Sequence, residues 1–367
     1  MTSGDGGRGT GRRGVLRAGA AAVLLGAAGC TSGTKSAVSP ASSTQPPTAA
    51  PTPTQAPTPT ATQAATPTAP PAATPLPNPP LWQPGPGEIQ PDVKRRAVEL
   101  VAALGAWPPG GQGSGAARAR VAALGLPPGL ADGAGRLAPA APEAAVEVVD
   151  AQYGGILADS ASVLVVCRQW TRQPDGSVAA GGITVDVRLS RAEPRWTVTA
   201  VHPGDPGPAA GSPAATPAAS PASPAAPAAP TPAVAKVLAE PRIELPPEAA
   251  ADLLSGTVHD SVLTAMLRLA GPYALSVSVV RTGHPLDVFG TTRPSDHPLG
   301  RAFDVWRIDG RAVVDPATPR QLIESFMRDA AAAGSYNVGG PVAIAGVGNQ
   351  FFTDDTHHDH VHVGFTS

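Results

Sequence analysis

Residues 295–304 read Ser-Asp-His-Pro-Leu-Gly-Arg-Ala-Phe-Asp, and this stretch decides how the C-terminal part of the chain is interpreted. His297 precedes Asp304 by seven residues, and imidazole and carboxylate groups are both good zinc ligands. Gly300 allows a tight loop between them, and the small Ala302 allows a close approach. Asp304 opens a β-like run, so we expect its carboxylate to lie on a rigid strand. The stretch predicts part of a metal site.

A second polar stretch lies near the C-terminus, where residues 354–365 read Asp-Asp-Thr-His-His-Asp-His-Val-His-Val-Gly-Phe. His360 and His362 are two residues apart, so on a strand their side chains share one face and can point at the same ion or substrate. Val361 and Val363 then face the opposite, buried side. Alone, a His-x-His pair is also typical of a polar edge strand with stacked histidines. Its meaning depends on the first stretch.

Together, Ser-x-His-x-x-Gly-x-Ala-x-Asp and a later His-x-His resemble the signature of the zinc D-Ala-D-Ala carboxypeptidases and dipeptidases. Their wider group includes the lysostaphin-type and murein endopeptidases and the hedgehog signalling domain. The resemblance covers about residues 273–365. It implies a mixed α+β domain in which His297, Asp304 and His362 bind zinc. Three protein ligands leave one position open, which is the catalytic arrangement.

The same resemblance implies roles for the neighbouring residues. His360 matches the histidine that contacts the transition state. Asp359 occupies the position of the general base, where the dipeptidases carry Glu. Because Asp is one methylene shorter, His357 and Asp355 are alternative bases. Asp359→Glu is accordingly expected to keep or raise activity.

Three further residues are candidates for substrate binding. Residues 278–284 resemble the family's strand that ends in Arg-Ser or Arg-Thr, which implies that Arg281 pairs with a carboxylate or the developing oxyanion. The alternative is a surface arginine that ends a strand. Ser295 is the fixed serine of the first motif. His284 either lines the cleft or stacks beside the turn at Pro285.

Residues 1–30 have the pattern of an export signal. Arg12 and Arg13 precede an apolar run of residues 18–28, which is too short to span a bilayer as a stable helix. The paired arginines resemble a twin-arginine signal. Residues 27–30, Ala-Ala-Gly-Cys, resemble a lipobox, which implies lipidation of Cys30. The alternative is a plain secretory signal with an incidental cysteine.

Composition divides the rest of the chain, because 45 prolines and 41 glycines are too many for one packed core. Residues 31–84 are rich in Pro, Thr and Ala, and predict an extended tether. Residues 85–202 predict a small α+β domain of unknown role, which vaguely resembles cystatin-like or nuclear-transport-factor-like domains. Residues 203–235 predict a second Pro/Ala-rich linker, and residues 236–367 the zinc peptidase-like domain.

Hydrophobic periodicity places secondary structure in both folded parts. The first part predicts a helix from Pro91 and a buried core thiol at Cys167. The second predicts an α+β domain with a central sheet. The predicted strands are 144–149, 162–169, 183–190, 196–201, 275–281, 302–306 and 360–365, and the later helices are 260–269 and 319–333.

We therefore expect an exported, lipid-anchored zinc peptidase that acts on stem peptides or cross-links of peptidoglycan at the cell envelope. The formal net charge of −2 gives no indication of nucleic acid as a partner. One alternative is a non-catalytic, zinc-containing lipoprotein that binds peptidoglycan. Another is an interaction lipoprotein in which residues 85–202 carry the function.

Overall fold

The computed structural model describes residues 74–192, 195–204, 229–348 and 350–367. The predicted signal peptide, its lipidation site Cys30, and most of the predicted tether and second linker lie outside these residues. Within the described part of the chain, no helix combines the length and apolar character needed to cross a membrane. Helices and sheets both occur, so the fold class is α+β, as predicted.

Residues 74–204, the first segment, consist of helices followed by an antiparallel meander. Helix α1 begins at a proline, whose missing N–H costs nothing in the first turn, and it packs against the meander. All four predicted strands are present and extend beyond the apolar runs, because the hydrogen-bond ladder continues into the polar ends. Cys167 is buried in this core, as expected. The elements are α1 (Pro91–Gly105), α2 (Ser114–Ala123), β1 (Ala144–Ile156), β2 (Ser160–Arg172), β3 (Val178–Ala192) and β4 (Arg195–Pro203).

Residues 229–367, the second segment, form a mixed sheet in the order β10-β9-β11-β7-β6-β5, with β8 on β7. The first helix of this segment begins at Pro232, within the stretch predicted as linker, and Thr231 caps it. The elements are α3 (Pro232–Ala239), β5 (Ile243–Glu244), α4 (Pro247–Leu254), α5 (Asp260–Leu269), β6 (Leu275–Val277), β7 (Ala302–Ile308), β8 (Arg311–Ala312), α6 (Arg320–Ala332), β9 (Asn337–Gly339), β10 (Phe351–Phe352) and β11 (Val361–Gly364).

The predicted strand 275–281 is shorter than expected and ends at Val277. A register shift between Ser276 and Val277 disturbs its pairing with β7. The backbone N–H groups of Arg281 and Thr282 turn to the carboxylate of Asp252 instead, at 2.9 and 2.8 Å. The chain therefore leaves the sheet before it reaches Arg281.

Alternation along β7 and β11 separates the core from the opposite face of the sheet. Val305, Val361 and Val363 belong to the apolar core that α5 and α6 cover. Asp304 and His362 alternate with these valines, so they project from the other face. The first segment packs on that other face, where Val279 contacts Leu164 and Val166 of β2.

Candidate metal centre

Three donor atoms converge on the face of β7 and β11 that lies opposite the apolar core. His297 Nε2 lies 3.1 Å from Asp304 Oδ1 and 3.1 Å from His362 Nδ1, and the last two atoms are 3.0 Å apart. Zinc binds nitrogen and oxygen ligands at about 2.0–2.2 Å, so one ion fits just above the plane of this triangle. No member is more than 7% exposed. The structure thus brings together the three residues predicted as ligands.

Strand pairing and one glycine position these ligands. His362 lies directly opposite Asp304 in the antiparallel pairing of β11 with β7. His297 comes from the loop before β7, where Gly300 N donates to His297 O at 2.8 Å. Gly300 has a φ of 71°, and a Cβ there would lie 2.1 Å from the carbonyl oxygen of Thr257. Only glycine fits this turn without strain.

A backbone carbonyl determines which nitrogen of His297 is available to a metal. His297 Nδ1 lies 2.8 Å from the carbonyl oxygen of Val280. A carbonyl oxygen only accepts, so Nδ1 carries the proton and Nε2 presents its lone pair to Asp304 and His362. Lone pairs on His297 Nε2 and Asp304 Oδ1 repel each other unless a cation or proton lies between them. A metal ion satisfies all three atoms of the triangle at once.

The charge states of the triangle also suit a cation. Burial opposes ionisation of Asp304, but His297, His360 and His362 outweigh it and hold the pKa of the carboxyl well below its usual range. Burial lowers the pKa of His362 to about 4, against the opposing effect of Asp304. At neutral pH the site therefore presents a carboxylate and a neutral imidazole, the forms that bind metals.

His284 lies close enough to be considered as an alternative ligand, since one of its nitrogens falls within 4.8 Å of donor atoms of His297 and Asp304. Its ring, however, stacks on His297 with the centroids 4.2 Å apart and an angle of 15° between the planes. The lone pair of an imidazole nitrogen points outward in the plane of its ring. Two rings that stack nearly parallel therefore do not direct their lone pairs at one common ion. His284 therefore supports the ring of His297, and His362 is the better third ligand.

The other predicted substrate-binding residues surround the loop of His297. Ser295 Oγ accepts a hydrogen bond from His297 N at 3.4 Å and lies 3.3 Å from His284 Nδ1. Arg281 Nε donates to the carbonyl oxygen of Pro298 at 3.1 Å. These contacts stabilise the loop that presents His297.

Asp359 and His360 form a pair beside the triangle. His360 Nδ1 lies 2.6 Å from Asp359 Oδ1, and His360 Nε2 lies 3.8 Å from Asp304 Oδ1. Burial opposes protonation of His360, but Asp304 and Asp359 outweigh it and raise its pKa to about 9. Asp359 follows a short 3-10 turn (Thr356–His358) and precedes β11, so it lies before the alternation of that strand begins.

The second oxygen of Asp359 is bound by the first segment. Asp359 Oδ2 lies 2.6 Å from Lys94 Nζ of α1 and accepts a hydrogen bond from the backbone N–H of Tyr153 of β1 at 3.0 Å. Of the alternative bases, Asp355 is exposed, and His357 is half-buried with its ring centroid 5.1 Å from that of His360. Both oxygens of Asp359 are therefore engaged before any substrate enters.

Gln152 of β1 also reaches the centre. Its Nε2 donates to Asp304 Oδ2 at 2.6 Å, and its Oε1 accepts from Ser278 Oγ. Gln152 and Lys94 are not among the residues predicted from the sequence. The sequence feature that could have indicated them is a polar residue at a position predicted to be buried. Asp150 and Gln152 lie two residues apart in an apolar strand, and Lys94 lies on the apolar side of α1.

A second cluster of possible metal ligands consists of Glu88, His358 and Asp359. Lys94 Nζ already lies 2.5 Å from Glu88 Oε2 and 2.6 Å from Asp359 Oδ2. The ammonium group supplies the positive charge that these carboxylates need. The cluster is a buried ion-pair network built around Lys94.

A scan against protein-family models and searches of curated proteins and of solved structures found no match to the chain.

Proposed function

We propose that this protein is a zinc-dependent peptidase that hydrolyses peptide bonds in the stem peptides or cross-links of peptidoglycan. The triangle of His297 Nε2, Asp304 Oδ1 and His362 Nδ1 carries the proposal. Two imidazole nitrogens and one carboxylate oxygen are a donor set that suits zinc, and three protein ligands are typical of catalytic sites. The predicted export signal and lipidation of Cys30 support a location beside the cell wall.

A zinc ion held by His297, Asp304 and His362 would supply a Lewis acid for the scissile carbonyl and would make water more acidic at the site. The chain itself must hold and move the protons. Asp359 accepts from Nδ1–H of His360 and turns the ring so that Nε2 lies toward the triangle. Because its pKa is raised to about 9, His360 is protonated at neutral pH, and its Nε2–H can donate to the developing oxyanion and then give the proton to the leaving amine. We therefore assign the role of general acid to the Asp359–His360 pair, with Asp359 orienting the ring and His360 carrying the proton.

A second candidate is a zinc-containing module that binds peptidoglycan without cutting it. The deep burial of the ligands favours this alternative, because a substrate amide needs access to the metal. Asp359 in the position of the relatives' Glu favours it as well. The two candidates share the metal site and differ only in hydrolysis.

The mature full-length protein tests both candidates. We expect about one zinc per chain by metal analysis, and new muropeptides after incubation with purified sacculi, identified by mass spectrometry. His297→Ala and His362→Ala should lose both, whereas His259→Ala, which removes an exposed histidine outside the site, should lose neither. Zinc binding without new muropeptides would favour the binding module. Full zinc retention in His297→Ala would contradict the metal site itself.

A further inference from the structure

The interface between the two segments has the character of a permanent one. Leu164 and Val166 pack on Val279, and a Cβ added to Gly155 would lie 2.1 Å from Phe289. Ion pairs flank this apolar contact, including Arg136 with the buried Glu248 at 3.0 Å. Such a close approach of the backbone over an apolar patch is typical of the close-packed interior of a protein. An interface that opens and closes would not need it.

Gln152 is held at both ends of its amide. Ser278 Oγ donates to Oε1, which turns Nε2 toward Asp304 Oδ2 at 2.6 Å. The other oxygen of the carboxylate, Oδ1, belongs to the ligand triangle. A donor on the outer oxygen of a ligating carboxylate fixes its rotation and keeps it monodentate, which is the usual task of residues behind a metal ligand.

Lys94 acts on the second half of the centre in the same way. Its ammonium is fully buried and lies 2.6 Å from Asp359 Oδ2, while Asp359 Oδ1 holds His360 Nδ1. The backbone N–H of Tyr153 adds a second donor to the same oxygen. Asp359 thus has one orientation, and through it His360 has one.

The hydrogen bonds of the first segment to the centre do not involve the ring nitrogens of its histidines. Among the described residues, no group of residues 74–204 hydrogen-bonds a ring nitrogen of His297, His360 or His362. Gln152 and Lys94 instead touch only the outer oxygens of Asp304 and Asp359.

We infer that the metal centre is composite: residues 74–204 supply Gln152 and Lys94 as positioning residues, the first for Asp304 and the second for the Asp359–His360 pair. For the catalytic part, this inference rests on the proposed function. For the metal part, it requires only that the triangle binds a divalent ion. The segment predicted to have an unknown role then completes the site of its neighbour.

Cobalt(II) tests the role of Gln152 without any need for activity, because its visible absorption reports ligand geometry. Gln152→Leu keeps the volume and removes the donor. We expect its affinity for zinc and cobalt to fall about 10–100-fold and the cobalt spectrum to change. Gln169→Leu is the matched control, since Gln169 is a buried amide on β2 that donates to the carbonyl oxygens of Gly105 and Leu137, away from the metal. It should lower stability and leave affinity and spectrum unchanged.

The rate at which the protein hydrolyses sacculi tests the role of Lys94. Lys94→Met combined with Glu88→Gln removes one charge of each sign, so that the network stays balanced, and should lower kcat at least ~10-fold with metal affinity retained. Equal cobalt spectra and affinities for Gln152→Leu and Gln169→Leu would overturn the inference. Faster hydrolysis in either Gln152→Leu or the double variant would also overturn the inference, because it would show that the first segment blocks access to the centre. Wild-type protein that binds cobalt but cuts no sacculi would reject the proposed function while the cobalt comparison still decides the role of Gln152.

Discussion

Asp359 is the residue whose substitution separates orientation from metal binding. The charge of Asp359 and its hydrogen bond from Nδ1 help to keep His360 protonated, whereas an asparagine is neutral and its amide can donate to Nδ1, which favours the unprotonated ring. We expect Asp359→Asn to retain zinc and to lower hydrolysis by about 10²–10⁴-fold. Asp354→Asn is the control, because Asp354 binds His357 at 2.7 Å and does not touch His360. A larger loss in Asp354→Asn than in Asp359→Asn would make His357 the proton carrier.

The structure changes the expectation for Asp359→Glu. From sequence, the longer acid should keep or raise activity. Asp359, however, is 4% exposed and already meets Lys94, Tyr153 N and His360 at 2.6–3.0 Å. One more methylene in a filled space forces its neighbours apart, at a typical cost of about 1–3 kcal/mol. We now expect Asp359→Glu to lower both the free energy of unfolding, measured in urea, and the rate of hydrolysis; an unchanged or higher rate would contradict this.

Asp150 should make stability depend on pH. Burial raises its pKa to about 7, with Lys94 opposing the rise and Asp359 and Glu88 adding to it. In an unfolded chain an aspartate has a pKa of about 3.9. Because the folded pKa is the higher one, the contribution of Asp150 is fully present below about pH 4 and is lost as the pH rises toward 7.

Asp150→Asn removes this titration. The difference in unfolding free energy between wild type and variant should therefore shift in favour of the variant as the pH rises from 4 to 7, by about 1.4 kcal/mol for each unit of pKa shift. Urea unfolding at a series of pH values measures it. A difference that stays constant with pH would show that Asp150 keeps an ordinary pKa.

At the scale of elements, the turn before β7 presents His297 and depends on Gly300. Gly300→Ala adds a Cβ 2.1 Å from the carbonyl oxygen of Thr257, at a φ of 71°. Gly310→Ala is a matched control, since Gly310 has a φ of 74° and open space around it. Both variants suffer backbone strain of about 1–3 kcal/mol, and only Gly300→Ala adds the clash. We expect Gly300→Ala to be the less stable in urea and the weaker in zinc affinity; equal effects would show that the turn does not control the site.

Features that depend on neighbouring residues could be predicted from the sequence, whereas contacts between distant residues could not. The convergence of His297, Asp304 and His362 was predictable because short motifs encode these residues, and the strands β1 to β4 were predictable because each carries an apolar run. Gln152 was not, because its partner Asp304 lies 152 residues away, and no local pattern records such a pairing. The zinc identity, the peptidoglycan substrate and the lipid anchor remain predictions.

For the whole molecule, the position of the first segment on the second should control activity. Gly155 of β1 lies so close to Phe289 that an added Cβ would lie 2.1 Å from the Cβ of Phe289, so Gly155→Ala must shift one segment relative to the other. Gly181→Ala is the control, because Gly181 of β3 has nothing within 4 Å of an added Cβ. A composite centre is sensitive to displacements of about 1 Å.

We therefore expect Gly155→Ala to lower hydrolysis of sacculi by about 10²-fold and to alter the cobalt spectrum, while Gly181→Ala changes neither. The shift moves Gln152 and the backbone N–H of Tyr153 together, since both lie on β1 within three residues of Gly155. Hydrogen exchange at residues 150–156 measures the loosening directly. Increased exchange there with unchanged hydrolysis would show that the first segment merely adjoins the centre. Increased exchange with faster hydrolysis would show that it blocks access, because the substrate would then gain from the same displacement that weakens the hydrogen bonds to Asp304 and Asp359.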